Sequence, residues 1–295
     1  MEFLLQLLLN GLVVGSIYSL VALGFVIIFK SSGILNFAQG EFLLFGAYLF
    51  VATVVQHRVP LVPGFILTLL FSAALGVLLE RAVLRPLIGE PIISVIMVTL
   101  GLSSVLRAIV QGVWGTNTWP MPAMFSLDPI HLGPLPVARG YLYSAAAVAV
   151  LLLVLSLFFK YSRPGIAMRA TADSQQVALS MGISVKRIFA LAWSIAAVVS
   201  ATGGVLLGSI RGGVDGSLAV LGLKVLPVVI VGGLDSVGGA IVGGLLIGVL
   251  ENLSGGYLDP VFGGGVKEVA PFVALVLILM IRPYGLFGKV QIERV

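Results

Sequence analysis

The first side chains in this sequence whose type and spacing suggest a task are Asn36, Gln39 and Gly40, at i, i+3 and i+4, with Glu41 directly after them. Two amides offer donors and acceptors without a charge, which suits brief contact with a polar solute better than tight binding. A carboxylate at the centre of a bilayer costs roughly 2.5–3.5 kcal/mol, so Glu41 must face protein or water if its segment spans. Helical patterning breaks at Ser32-Gly33, and an interrupted helix that frees backbone groups near the midplane is one way to build a route across a membrane. A plain interfacial turn over residues 30–41, where Asn, Gln and Glu cost little, fits the same residues.

Other chemistries lack their residues. No G-x-x-x-x-G-K-[ST] occurs, so the chain has no loop to cradle ATP phosphates, and energy for any pumping must come from another subunit. Neither H-E-x-x-H nor G-x-S-x-G is present, which argues against a membrane enzyme. Cysteine is absent and His57 and His131 are the only imidazoles, so disulfides and a Cys/His zinc site are excluded and no cofactor is expected.

The elements that position these residues must be transmembrane helices. Hydrophobic residues make up 59% of the chain and charged residues only 10%, with a mean hydropathy of +1.16, a composition that belongs in lipid. Within a bilayer the backbone must satisfy its own hydrogen bonds, which leaves helices or closed barrels. Apolar runs of about 20 residues recur and ten-residue alternation does not, so the fold class is all-α, a polytopic bundle of eight or nine spans. Hydropathy predicts them near 3–29, 41–56, 61–79, 91–112, 141–159, 188–210, 218–231, 237–251 and 269–286. Met1-Glu2-Phe3 lacks the basic start of a signal peptide, so the first run is kept as a span.

Placing the loop 160–187 in the cytoplasm puts Lys30, Arg81, Arg85, Lys160, Arg163, Arg169, Lys186, Arg187, Arg282, Lys289 and Arg294 inside, against Arg58, Arg139, Arg211 and Lys267 outside. That bias sets the C-terminus inside and, with nine spans, the N-terminus outside. Arg107 and Lys224 fall within spans near their outer ends, where snorkelling accounts for them. The pI near 9.6 reflects this topology, and no nucleic-acid partner is expected. Glycines at small-xxx-small spacing, Gly11-Gly15-Ser19, Gly204-Gly208, Gly239-Gly243 and Gly244-Gly248, read as seams between helices. The outer loop 114–140 carries Trp114, Trp119 and prolines at 120, 122, 129, 134 and 136, a semi-rigid cap suited to meeting another protein or merely covering the surface.

The cytoplasmic loop is too polar to span and too patterned to be slack. Asp173 as N-cap with Gln176 three residues on suits a capping box, and Gly182-Ile183 suits a left-handed stop, which predicts a helix over Ser174–Met181 with Val177, Ala178 and Met181 on one face. From local physics alone it is either a docking element or an interfacial helix that tidies the loop.

Three stretches carry a resemblance. Gly165, Ala170, Asp173, Ala178, Gly182 and Ile183 resemble the cytoplasmic loop of ABC importer permeases. Leu20-Val21-Ala22-Leu23-Gly24-Phe25 with Ser31 through Phe42 resembles the amino-terminal signature of the branched-chain amino acid permeases, and Val231 through Gly239 with Gly243, Gly244, Glu251 and Asn252 resembles a late motif shared with ribose-type sugar permeases. The resemblance covers nearly the whole chain as one permease domain, 1–295, that ends soon after its last span, as the shorter H-type permease does. It implies a bacterial inner-membrane protein that moves branched-chain amino acids, or urea or short amides, together with a second homologous permease, two ABC ATPases and a periplasmic binding protein. It implies further that Arg169, Ala170, Asp173, Gln176, Val177, Ala178, Met181, Gly182 and Ile183 meet the ATPase. A secondary transporter using Glu41, Arg107 or Lys224 is an alternative, although duplicated halves are not evident. A channel is another, although a filter motif is missing.

Overall fold

The structure, a computed structural model, describes residues 2–122, 124–125, 128–132 and 135–288. Pro134, Lys289 and Arg294 lie outside them. Among the described residues, seven helices are long and apolar enough to cross a membrane. They are α1 (Glu2–Ser32), α2 (Gln39–Phe50, continued by π-helical turns to Gln56), α3 (Leu61–Leu79, continued by a π turn and a short 3-10 turn to Leu87), α4 (Ile92–Trp114), α5 (Arg139–Tyr161), α8 (Val185–Arg211) and α10 (Val237–Tyr257). Between α5 and α8 lie two amphipathic pieces, α6 (Arg163–Asp173) and α7 (Gln175–Ser180). Two shorter apolar helices, α9 (Ser217–Gly232) and α12 (Val266–Ile281), are 16 residues each, and α11 (Asp259–Phe262) links α10 to α12. The nine apolar helices among the described residues overlie the nine spans expected from hydropathy. Among the described residues sheet is confined to the connections: β1 (Trp119–Pro120) pairs antiparallel with β4 (Gly213–Val214), and β2 (Pro129–Leu132) with β3 (Leu135–Ala138).

The chain forms two compact units, one of Met1–Val26, Phe125–Ala149 and Lys224–Val295, the other of Ile27–Met124 and Val150–Leu223. In the first, the early part of α1 packs antiparallel on α10 through glycine. A Cβ on Gly15 would lie 2.6 Å from the Gly244 carbonyl oxygen, so only glycine permits this approach, and close backbone packing is what binds helices where lipid offers no hydrophobic drive. Ser19 Oγ donates across the seam to the Ile241 carbonyl at 2.9 Å, and Phe3 meets Tyr257 edge to face. The turn from α9 to α10 is covered by the chain returning after α12, where Leu286 N–H donates to the Val231 carbonyl at 2.8 Å and Phe287 N–H to that of Gly232 at 3.1 Å.

The second unit is centred on α2, which is enclosed by α8, α3 and α4. Its core joins Ile28, Phe42, Leu79, Val95, Trp193 and Ala196, all buried, and Phe42 stands edge to face on Trp193. α2 runs parallel to α4: Glu41 lies beside Arg107, and Phe45 and Tyr48 meet Trp114.

Candidate functional site

α1 stops at Ser32, where Gly33 takes φ +73°, a left-handed conformation that glycine adopts at no steric cost. The chain stays non-helical until α2 begins at Gln39, so the predicted break is present. Asn36 precedes the helix instead of sharing its face. Its Oδ1 accepts from Ala38 N–H at 3.0 Å and its Nδ2 donates to Gln39 Oε1 at 3.2 Å. Gln39 Nε2 donates in turn to Ser200 Oγ at 2.6 Å and to the Ala196 carbonyl at 3.4 Å. Asn36 and Gln39 are buried, and Gly40 packs its backbone against Ala219 and Gly222 of α9. These three residues therefore fix the start of α2 against α8 and α9. An exposed interfacial turn would leave them in solvent.

Glu41 points away from Gln39, toward α4. Its Oε1 accepts from Arg107 Nε at 3.1 Å and Nη2 at 2.6 Å, while Oε2 is buried with no partner. The carboxylate side chain is almost fully enclosed, and that of Arg107 remains 40% exposed. Snorkelling is thus corrected for Arg107. Its Cα lies about 10 Å below the C-terminal end of α4 and about 22 Å above the start, and because α2 and α4 run in parallel, Glu41 holds the guanidinium level instead of letting it reach for the headgroups.

The other cation in a span is also paired. Lys224 of α9 donates to Glu251 Oε1 of α10 at 3.1 Å and forms a second ion pair with Glu268 at the start of α12. The Lys224 and Glu251 side chains are buried and that of Glu268 is exposed. Snorkelling is corrected here too, because two carboxylates in the same unit neutralise the ammonium where it stands. A third pair closes the π turn after α3: Arg85 donates from Nε and Nη2 to the two oxygens of the buried Glu80, at 3.2 and 2.8 Å. Sequence reading missed these partnerships and Ser200. The available signal was the placement of Arg107, Lys224, Glu41 and Glu251 in or beside apolar runs, where an unpaired charge is costly.

The segment 160–187 folds as two helices before α8, not one. Ser162 caps α6, its Oγ accepting from Gly165 N–H at 3.0 Å, with Pro164 in the first turn where its missing N–H costs nothing. Asp173 is the last residue of α6, and Ser174 takes the capping role foreseen for it, accepting from Val177 N–H at 3.3 Å. The Gly182 stop is as expected, with φ +79°, Ile183 N–H on the Ala178 carbonyl at 2.9 Å and Gly182 N–H on that of Leu179 at 3.0 Å, the paired bonds that close a helix end. The shared outward face is corrected. Ala178 is 1% exposed, whereas Val177, Leu179 and Met181 are 60%, 58% and 76% exposed. Arg169 and Gln176 are also exposed, Ala170 and Ile183 half-buried, and Arg169 Nη2 donates to the Lys160 carbonyl at 3.2 Å. The result is a capped, anchored helix of two turns that turns apolar side chains outward.

A family model described as branched-chain amino acid transport system / permease component matches residues 7–282. The high-affinity branched-chain amino acid transport system permease protein LivH of Salmonella typhimurium is 30% identical over 306 residues, covering 99% of this chain and 98% of its own length. The corresponding permease protein BraD of Pseudomonas aeruginosa is 31% identical over 304 residues, covering 99% and 98%. A probable LivH of Methanocaldococcus jannaschii is 27% identical over 296 residues, covering 96% and 92%.

Proposed function

Because the chain belongs to the branched-chain amino acid transport permease family, we propose that it is the membrane-spanning subunit of a binding-protein-dependent ABC importer for branched-chain amino acids. It works beside a second, homologous permease, two ATPases that supply the energy, and a periplasmic protein that delivers cargo. The loop of α6 and α7 faces the cytoplasm and docks into the ATPase. The observation that carries this reading is α7 itself: capped at both ends, anchored through Ala178, and presenting Val177, Leu179 and Met181 to the surroundings. An exposed apolar patch rigidly held between two spans is suited to transmitting a push, because neither the helix nor its base can yield independently. Route-building falls to the interrupted start of α2, where Asn36 and Gln39 brace the backbone and Glu41 reaches the neighbouring helix.

Co-purification of the permease with its ATPase tests the docking. Val177→Asp and Met181→Asp place a charge in what becomes a dry contact, and burying an unpaired charge is costly, so complex yield should fall by about tenfold or more while the permease stays folded. Ala178→Asp, by contrast, should disturb the fold before any partner binds. If both surface variants assemble and drive uptake like the wild type, the patch is not the docking site.

A further inference from the structure

We infer that one flank of α4, carrying Ser103, Arg107 and Gln111, faces water in the assembled transporter as a wall of the cargo route, and that Arg107 contacts the carboxylate end of the passing amino acid. This rests on the transport reading above and extends it to a residue and a chemical group.

Three observations carry it. The Cα of Arg107 lies about 10 Å below the end of the helix, its side chain is tied to Glu41 and 40% exposed, and an arginine at that depth facing hydrocarbon would be strongly unfavourable. Glu41 engages Nε and Nη2 through a single oxygen, and no other partner for Arg107 exists among the described residues, so Nη1 is free to donate. From Ser103 onward the flank is also polar beyond Arg107, although Leu100, one turn earlier on the same face, is 40% exposed. Ser103 and Gln111 lie four residues on either side of it, on the same face, and Gln111 is exposed. The opposite flank has the character of a lipid-facing surface, with Val105 55% and Ile109 45% exposed. One helix thus carries a polar and an apolar edge on either side of its buried stripe.

The arginine suits a zwitterion in transit. Its charge is largely offset by Glu41, so it does not trap an anion, yet a planar fork with free donors matches a carboxylate. Weak contact is what conduction requires.

The chain contains no cysteine, so single cysteines at Ser103, Gln111, Val105 and Ile109 can be compared in the complete transporter reconstituted with its partners. The probes are an anionic and a cationic water-soluble thiosulfonate of similar size, each rate normalised to that with a free thiol. Ser103→Cys and Gln111→Cys should react at least about tenfold faster than Val105→Cys and Ile109→Cys, since only water carries such ions to a thiol. At Ser103→Cys the anionic reagent should be favoured, by less than the about fivefold that one unpaired close charge gives in water, because Glu41 offsets much of the guanidinium charge. Arg107→Gln should remove that preference and Arg107→Lys should keep it, which separates charge from folding. Equal labelling of both flanks, or protection of Ser103→Cys and Gln111→Cys, overturns the wall. Fast labelling without charge preference overturns the role of Arg107. Uptake by the unlabelled wild-type complex is measured alongside: its failure sinks the transport reading, whereas normal uptake with a contrary labelling pattern sinks only this inference.

Discussion

Two clusters in this protein share a design and differ in one respect. Arg107 with Glu41, and Lys224 with Glu251 and Glu268, each set a cation of one apolar helix against a carboxylate of another, and each leaves one carboxylate oxygen buried without a partner. The Lys224 side chain is only 9% exposed, that of Arg107 40%. A compact ammonium surrounded by two carboxylates has little left to offer and ties α9, α10 and α12 together. A planar guanidinium gripped along one edge keeps donors on the other. Pairing alone therefore does not mark a site; the exposure left after pairing does.

The largest effect should come from breaking the enclosed cluster. Lys224→Met leaves Glu251 buried without its cation, and removing one partner of a buried pair costs about 3–5 kcal/mol. Replacing both, Lys224→Met with Glu251→Met, should recover most of that loss, because an apolar pair of similar volume needs no compensation. Thermal unfolding of the purified chain in detergent measures both. A single variant as stable as the double would show that Lys224 is no tie, and the contrast with Arg107 would collapse.

A smaller effect is expected at the open cluster. Glu41→Gln removes a charge-assisted hydrogen bond worth roughly 1.5–3 kcal/mol, but Arg107 keeps access to solvent, so the loss should fall at the lower end. Uptake should drop further than the unfolding midpoint can explain, since the guanidinium loses the group that orients it. If Glu41→Gln unfolds as readily as Lys224→Met, the two regions are the same kind of structure and the distinction by exposure fails.

The ease with which each part of this molecule is read follows from how local its cause is. The nine apolar helices among the described residues were legible, because a backbone in lipid must satisfy itself and the runs that do so are contiguous. The Gly182 stop was legible for the same reason, since a left-handed residue followed by an apolar one is a pattern within two positions. The cap was not, because Asp173 and Ser174 are adjacent and both suited to the role, and the choice falls on Ser174 only once α6 claims Asp173 as its last residue. α6 was overlooked, although Ser162 with Pro164 is itself a helix-start signature. Outward and inward faces of α7 were confused because two turns with Val177, Ala178 and Met181 give hydropathy nothing to separate the anchor from the patch. That these charges need partners was legible, but which pairs with which was not: Glu41 and Arg107 are 66 residues apart and Lys224 and Glu251 are 27 apart, and no spacing rule joins such positions.

The smallest effect concerns a carboxylate satisfied by neither kind of cluster. Asp215 precedes α9, where its Oδ1 accepts from Ser217 N–H at 2.8 Å and fixes the entry to that helix, as turn-forming aspartates do. Hydrogen bonds from Ser217 hold its carboxyl below the ordinary aspartate range, helped by the Arg211 charge and by Thr118 and opposed by partial burial. A depressed folded pKa stabilises the fold while the group is ionised, so the contribution is complete well above about pH 4, the ordinary aspartate value. It shrinks as pH drops below that value and is gone once pH has passed through the lowered folded one. Asp215→Asn keeps an acceptor and removes the charge, so at neutral pH it should cost about 1 kcal/mol or less, the scale of one exposed cap. Unfolding midpoints of wild type and variant, followed from pH 7 down to pH 3, should converge on acidification. A gap that persists or widens at low pH would mean that Asp215 acts through shape alone. Convergence would set a third case beside the two clusters, a charge whose partner is chiefly the backbone and whose loss the protein tolerates.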